Sequence, residues 1–162
     1  MTTPAPATAP PTAAARRRSV SLAVALIVIG VDQATKTLAL HYLSDGPVRV
    51  IGPFSLELVY NSGAAFSLGA GYSPVLAAIA VILIIVLWRA ARGATSAWTT
   101  VALGLVLGGA VGNLIDRLLR GNGGAVIDFV NLKYWPTFNV ADSSIVIGVV
   151  IMIWAGISRQ AR

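Results

Sequence analysis

Four apolar stretches of about twenty residues each limit what this chain can fold into. They cover roughly residues 19 to 43, 73 to 90, 97 to 119 and 138 to 158. An α-helix rises about 1.5 Å per residue, so about 20 apolar residues cross the roughly 30 Å hydrocarbon core of a bilayer. The pattern therefore predicts an α-helical integral membrane protein with four transmembrane helices.

Composition narrows the chemistry that this chain can perform. Hydrophobic residues make up 56% of the 162 residues and charged residues 11%. The chain has no cysteine and a single histidine, His41, which excludes disulfides, thiolate metal sites, a cysteine nucleophile and a cluster of imidazole ligands. We expect no metal and no organic cofactor, and carboxylates become the leading candidates for catalysis.

Basic residues are distributed as in a membrane protein. The formal net charge of +6 would suggest nucleic acid in a soluble protein. Here seven of the twelve basic residues flank alternate ends of the apolar stretches: Arg16, Arg17, Arg18, Arg89, Arg92, Arg159 and Arg162. Because basic flanks favour the cytoplasmic side, we predict that both termini are cytoplasmic and that residues 44–72 and 120–137 lie outside. Arg120 and Lys133 in the second of these loops oppose this orientation. No nucleic-acid partner is expected.

The N-terminal segment is rich in Ala, Thr and Pro and has no periodic pattern. We predict that residues 1–18 form a disordered cytoplasmic tail and residues 19–162 a four-helix membrane domain. A cleaved secretory signal is the alternative, since three arginines precede the apolar run 20–31. No small-residue cleavage site follows cleanly, and the polar run 32–36 continues into another apolar turn, which favours a helix end.

The loops predicted to lie outside contain strand patterns. Residues 54–60 alternate between apolar and polar side chains, which is typical of a half-buried strand, and residues 126–130 could add another. A small extracytoplasmic β-sheet is therefore predicted. On the third helix, Gly104, Gly108 and Gly112 recur every four residues, a spacing that favours close helix packing.

Three aspartates lie at one predicted membrane depth, near the outer ends of the first, third and fourth helices. A charged group in the middle of a lipid-facing helix costs at least about 2.5–3.5 kcal/mol, so these side chains are expected to point inward. Each shares a helical face with other polar residues, which gives three groups: Asp32, Thr35 and Lys36; Asn113, Asp116 and Arg117; and Asn139, Asp142 and Ser143. We predict that these three faces converge on one cavity.

Two neighbouring carboxylates can supply both an acid and a base. Since they cannot both ionise easily, one keeps a proton while the other can activate a water for attack on a peptide carbonyl. Asp116 and Asp142 are the candidates for such a pair. Spacing alone leaves ion or proton transport open, as well as structural roles such as an intrahelical salt bridge between Asp32 and Lys36.

Five segments, in order along residues 19 to 158, carry a resemblance to a known family. The chain resembles the lipoprotein signal peptidase (signal peptidase II) family in these segments: Asp32-Gln-Ala-Thr-Lys36, Asn61-Ser-Gly-Ala-Ala-Phe66, Gly108-Gly-Ala-Val-Gly-Asn-Leu-Ile-Asp-Arg117, Val126-Ile-Asp-Phe129 and Phe138-Asn-Val-Ala-Asp-Ser143. Each segment is weak by itself, but five in order in a cysteine-free four-helix chain are specific.

The resemblance implies a membrane aspartic endopeptidase without a cofactor. Its substrates would be diacylglyceryl-modified bacterial prolipoproteins, cut just before the lipidated cysteine, and membrane lipids would surround it. The family pattern maps the catalytic pair onto Asp116 and Asp142. It implies a multi-pass protein of the bacterial inner membrane, with the active site near the outer face. We expect a monomer, because one chain can satisfy its own polar faces.

Other motif residues are assigned supporting roles. Asn113 and Asn139 are expected to bind the substrate backbone or orient the carboxylates, with interhelical hydrogen bonding as the alternative. The remaining supporting residues are Arg117, which could hold a carbonyl or carboxylate; Asp32 and Lys36, which brace the cavity wall; and Asn61 and Gly63, which shape the outer loop. Asp128 also suits a strand end whose acid caps a turn.

Three other functions remain open at this stage. A small transporter would relay ions through the intramembrane acids and yield no cleavage product. A serine/lysine peptidase would use Lys36 with Ser62 or Ser143 and would lose cleavage with that serine. A structural scaffold would tolerate neutralising Asp116.

Overall fold

The computed structural model describes residues 12–63, 73–91, 93 and 96–160 of the chain. Within these residues, four helices are long and apolar enough to cross a membrane, which confirms the predicted fold class. The elements run in the order α1 (Ala13–Tyr42), β1 (Val48–Ile51), β2 (Phe54–Asn61), α2 (Ser73–Ala91), α3 (Ala97–Leu119), β3 (Val126–Leu132), β4 (Trp135–Phe138) and α4 (Val140–Gln160).

The first helix begins earlier than the sequence predicts. α1 starts at Ala13, so the prediction of a disordered tail is wrong for residues 13–18. The Thr12 side chain caps this start by accepting a hydrogen bond from the Ala15 backbone N–H, and alanine and arginine both favour helix. Residues 1–11 of the predicted tail lie outside the described residues.

α3 is the central helix and packs against α1, α2 and α4. Its glycines permit this contact: a Cβ atom added to Gly104 would lie 2.7 Å from the Ser21 carbonyl oxygen, and one on Gly108 would lie 2.8 Å from that of Ala25. The predicted packing role of this glycine spacing is confirmed. The core includes Ala25, Leu87, Leu103, Val106 and Leu107.

The strands form one antiparallel sheet in the order β1-β2-β3-β4. The C-terminal ends of α1 and α3 and the N-terminal end of α4 all lead into it, and this end of the bundle is called the sheet end below. A small core of Ala39, Leu43 and Phe129 joins the sheet to α1. The predicted sheet is therefore confirmed, although the sequence patterns indicated β2 and β3 without indicating β1 or β4.

Candidate active site

Polar side chains from α1, α3, α4 and β3 meet at the sheet end in one hydrogen-bond network. Asp32, Lys36, Asp116 and Asn139 are each 0% exposed. The three polar helix faces meet in this network, and a strand contributes as well. Thr35 and Ser143, which were predicted to belong to these faces, bond instead to backbone carbonyl oxygens nearby in sequence.

Lys36 joins α1 to α3 through its ammonium group. The Nζ atom lies 2.9 Å from Asp32 Oδ2 and 2.8 Å from Asp116 Oδ2, and it donates to Asn113 Oδ1 at 2.9 Å. An ammonium has three donors and no acceptor, so these three partners use its whole capacity. This geometry disfavours Lys36 as the base of a serine/lysine peptidase.

Asp116 is enclosed by four donors. Its Oδ2 atom accepts from Lys36 and from the Ile127 backbone N–H at 3.1 Å. Its Oδ1 atom accepts from Arg120 Nε at 2.9 Å and from Gln33 Nε2 at 3.3 Å. Since a carboxylate offers about four lone-pair sites, little remains for a water or substrate. These contacts indicate that Asp116, on α3, links this helix to α1 and β3.

Sequence reasoning missed Gln33 and Arg120. Arg120 Nη2 donates to Gln33 Oε1 at 2.6 Å, which closes a loop of contacts around Asp116. Arg120 lies four residues after Asp116, and this spacing is a recognised signal for a helical ion pair. The motif ends at the neighbouring Arg117, so the resemblance does not extend to Arg120.

Asp32 orients the start of α4. Its Oδ1 atom accepts from the Ala141 backbone N–H at 2.9 Å, so a carboxylate on α1 satisfies a free donor in the first turn of another helix. A Cβ atom on Gly112 would lie 2.7 Å from Asp32 Oδ2, and this contact explains why a glycine stands there. The predicted bracing role of Asp32 and Lys36 agrees with these contacts.

Asn139 and Asp142 cap α4 reciprocally. The Asp142 backbone N–H donates to Asn139 Oδ1 at 2.9 Å, and the Asn139 backbone N–H donates to Asp142 Oδ2 at 3.2 Å, which is the geometry of a capping box. Asn113 Nδ2 donates to Asp142 Oδ1 at 2.8 Å. Asp142 is therefore held in one orientation while remaining partly exposed.

Asp128 is the acid that shares a neighbour with Asp142. It is 1% exposed on β3, its Oδ1 accepts from Asn139 Nδ2 at 2.7 Å, and its Oδ2 accepts from Asn61 Nδ2 at 2.9 Å. Burial raises the pKa of Asp128 to about 6, and the Asp142 charge adds to this, while the hydrogen bonds from the two asparagines and the Lys36 charge oppose it.

Arg117 and Gly63 connect the site to the loop after β2. Arg117 Nη2 donates to the Gly63 carbonyl oxygen at 2.7 Å, and the Gly63 N–H donates to Asn61 Oδ1 at 3.0 Å. The loop thereby holds the Asn61 amide that contacts Asp128. Residues 64–66 of this motif lie outside the described residues.

Comparison with known proteins points to one family. The family model described as Signal peptidase (SPase) II matches residues 24–158. The chain belongs to the signal peptidase II family. The peptidase is 43% identical over 155 residues to the lipoprotein signal peptidase of Mycobacterium avium (strain 104), covering 93% of this chain and 85% of the relative. It is 45% identical over 143 residues to that of Rhodococcus jostii (strain RHA1), covering 85% and 72%.

Solved structures share the fold of the peptidase. A bacterial membrane enzyme solved by the in meso method has a TM-score of 0.80 and 30% identity, with 88% of this chain and 90% of that chain covered. A second structure, described in the same words, has a TM-score of 0.74 and 31% identity, covering 85% and 92%. The chain is thus a membrane-embedded peptidase.

Proposed function

We propose that this peptidase removes the signal peptide of diacylglyceryl-modified bacterial prolipoproteins just before the lipidated cysteine, by an aspartic mechanism without a metal or covalent intermediate. The relatives named lipoprotein signal peptidase support the substrate class. The observation that carries the mechanism is the meeting of two carboxylates at Asn139: Asp128 accepts from the Asn139 side-chain amide, and Asp142 accepts from the Asn139 backbone N–H.

For the catalytic pair we propose Asp128 and Asp142, in place of the Asp116 and Asp142 predicted from the sequence. Asp116 has four donors around its two oxygens, including two cations, and anchors the backbone next to Asp128. Asp128 accepts from neutral amides, and the other acid accepts from an amide side chain and a backbone N–H. Neutral donors leave the pair free to exchange a proton.

In this mechanism the two carboxylates share one proton. The ionised member takes a proton from the water that attacks the scissile carbonyl, while the protonated member gives its proton to the carbonyl oxygen. The proton taken from the water then passes to the leaving amine as the C–N bond breaks, and a hydroxyl of the tetrahedral intermediate returns one proton to the pair. Positioned proton transfer accounts for about 10² to 10⁴ in rate. Asn113 and Asn139 fix the carboxylate orientations, and the proton belongs to the pair rather than to one aspartate.

We also propose that the peptidase is a multi-pass monomer of the bacterial inner membrane, with both termini in the cytoplasm. The arginines at the end of the bundle opposite the sheet support this orientation. The site then lies near the outer face, where a leader helix can arrive from the bilayer and its acyl chains can remain among lipids.

The deciding experiment compares cleavage of a diacylglyceryl-modified prolipoprotein by wild type, Asp128→Asn, Asp142→Asn and Asp116→Asn, with folding measured for each purified variant. Folded Asp128→Asn and Asp142→Asn are expected to lose at least about 10³ of the rate, since each lacks half of the acid–base pair. Asp116→Asn should mainly lower the unfolding temperature.

Three results would contradict parts of this proposal. If Asp128→Asn cleaved at the normal rate and Asp116→Asn were folded but inactive, the catalytic pair would be Asp116 and Asp142, as predicted from the sequence. Full activity of both Asp128→Asn and Asp142→Asn would exclude the aspartic mechanism. Wild-type cleavage of the unmodified precursor at the same rate would exclude the proposed dependence on lipidation.

A further inference from the structure

The sheet carries a polar pocket that the candidate active site does not use. The cavity has a volume of about 520 Å³ and is lined in part by Arg49, Ser55 and Asn131. Arg49 pairs with Ser55, and Ser55 with Asn131, across three adjacent strands. Residues directly opposite one another in a sheet share a face, so these three side chains form one row across the sheet.

Two turns close the pocket. Lys133 and Tyr134, from the β3–β4 turn, and Pro53, from the β1–β2 turn, also line the cavity. The Lys133 backbone N–H donates to the Pro53 carbonyl oxygen at 3.2 Å, which holds the two turns together. The pocket is thus a fixed part of the sheet, built from the turns and three strands.

The pocket is positively charged. Arg49 and Lys133 are both exposed, and neither makes an ion pair with an acidic group in the described part of the chain. Lys133 Nζ lies 5.3 Å from the centre of the Tyr134 ring. The acid on this part of the sheet is Glu57, whose Oε2 accepts from Asn131 Nδ2 at 2.6 Å. Two cations therefore remain available to an anion.

Large apolar and aromatic side chains lie near these cations. Tyr134, which lines the pocket beside Lys133, is 86% exposed, and Ile51, two residues after Arg49 on the edge strand, is 74% exposed. The sheet sits where three membrane-spanning helices end. Exposed aromatic and apolar residues beside basic ones are typical of surfaces in the membrane interface, where lipid phosphates lie.

We propose that this pocket binds the phosphodiester headgroup of an anionic phospholipid in the leaflet at the sheet end. Arg49 and Lys133 contact the phosphate, the Ser55 hydroxyl and Asn131 amide offer polar contacts to the rest of the headgroup, and Ile51 and Tyr134 lie against the acyl region. The nearby apolar side chains distinguish a lipid from a free phosphate ion. This proposal is independent of the catalytic assignment, because none of these side chains belongs to the active-site network.

The test measures lipid retained by the purified full chain in detergent, by native mass spectrometry, with phosphatidylglycerol and phosphatidylcholine as probes. Wild type should retain phosphatidylglycerol preferentially. Arg49→Gln/Lys133→Gln should weaken that retention about tenfold or more, because each cation near an anionic lipid contributes on the order of 1 kcal/mol. The matched control is Arg16→Gln/Arg89→Gln, which removes the same charge from the opposite end and should retain the lipid as wild type does.

Three outcomes would overturn the proposal. They are unchanged retention by Arg49→Gln/Lys133→Gln, equal retention of phosphatidylcholine by wild type, and displacement of the lipid by inorganic phosphate at equal concentration. Both cations are exposed, so the double variant is expected to fold, and its unfolding temperature checks this directly.

Discussion

At the scale of single residues, the acids of the site differ in their hydrogen-bond partners. Asp116 and Asp32 meet Lys36 in the buried part of the network, whereas Asp128 and Asp142 meet neutral amides. Four donors already occupy the oxygens of Asp116, which leaves little room for a water or a substrate. The partners of each acid, more than its motif, thus support the choice of Asp128 and Asp142 as the proposed pair.

In the proposed mechanism, Asn61 helps to set the pH range in which the pair is active. Its hydrogen bond opposes the rise in the pKa of Asp128, so Asn61→Ala should raise that pKa further. A pair that shares one proton loses activity as pH rises through its upper pKa. We therefore expect the alkaline limb of kcat/KM to lie near pH 6 in wild type and to move up by about one pH unit in Asn61→Ala.

The measurement is kcat/KM for the lipidated substrate between pH 4 and pH 9. Asn131→Ala is the control, because the Asn131 side chain also donates to an acid on the sheet, but that acid is Glu57 and not Asp128. The alkaline limb of kcat/KM for this variant should match that of wild type. A limb that stays in place or moves to lower pH in Asn61→Ala would contradict the role of Asp128.

At the scale of the elements, the packing of α1 against α3 sets the positions of the polar groups. Lys36 reaches both Asp32 and Asp116 because the glycines of α3 bring the two backbones together. Helices in a bilayer gain little from burying apolar surface against each other, so small residues at the contact carry much of the association.

Gly108→Ala should weaken this contact. The added Cβ atom would lie 2.8 Å from both the Ala25 carbonyl oxygen and Val28 Cβ, and 3.0 Å from the Ala25 Cα atom. Overpacking of this kind costs about 1–3 kcal/mol. We expect a lower unfolding temperature in detergent than for wild type. Tryptophan fluorescence during heating measures this temperature.

Gly30→Ala on α1 is the matched control, because nothing lies within 4 Å of its added Cβ atom. Alanine is the better helix former by about 1 kcal/mol, so this variant should equal or exceed wild type in stability. Equal unfolding temperatures for the two variants would mean that α1 and α3 can move apart at no cost.

At the scale of the whole molecule, the sequence predicted the architecture but could not separate the surroundings of Asp116 from those of Asp128. Span length and charge distribution are local, so the four helices and β2 could be recognised from the chain alone. Asp116 and Asp128 differ in their partners, which come from distant segments: Lys36 is 80 residues before Asp116, and Asn61 is 67 before Asp128. The signal that was available is the position of Asp128 among Val126, Ile127, Phe129 and Val130, an acid inside a buried strand.

The orientation of the molecule can be tested by labelling, since the chain has no cysteine of its own. Asp45→Cys places a thiol in the exposed turn after α1, and Ala90→Cys places one near the end of α2. With the sheet end outside, a membrane-impermeant maleimide should label Asp45→Cys in intact cells and Ala90→Cys after lysis only. The reverse pattern would invert the proposed topology.

The proposed pair also has a consequence for biosynthesis. Asp128 lies on the strand that follows α3, but Asp142 lies in the first turn of α4, the fourth of the four helices to leave the ribosome and enter the membrane. A nascent chain with three inserted helices therefore holds one of the two acids and has no acid–base pair. Proteolytic activity would begin only after α4 is in place, so insertion itself would protect neighbouring polypeptides from an unfinished enzyme.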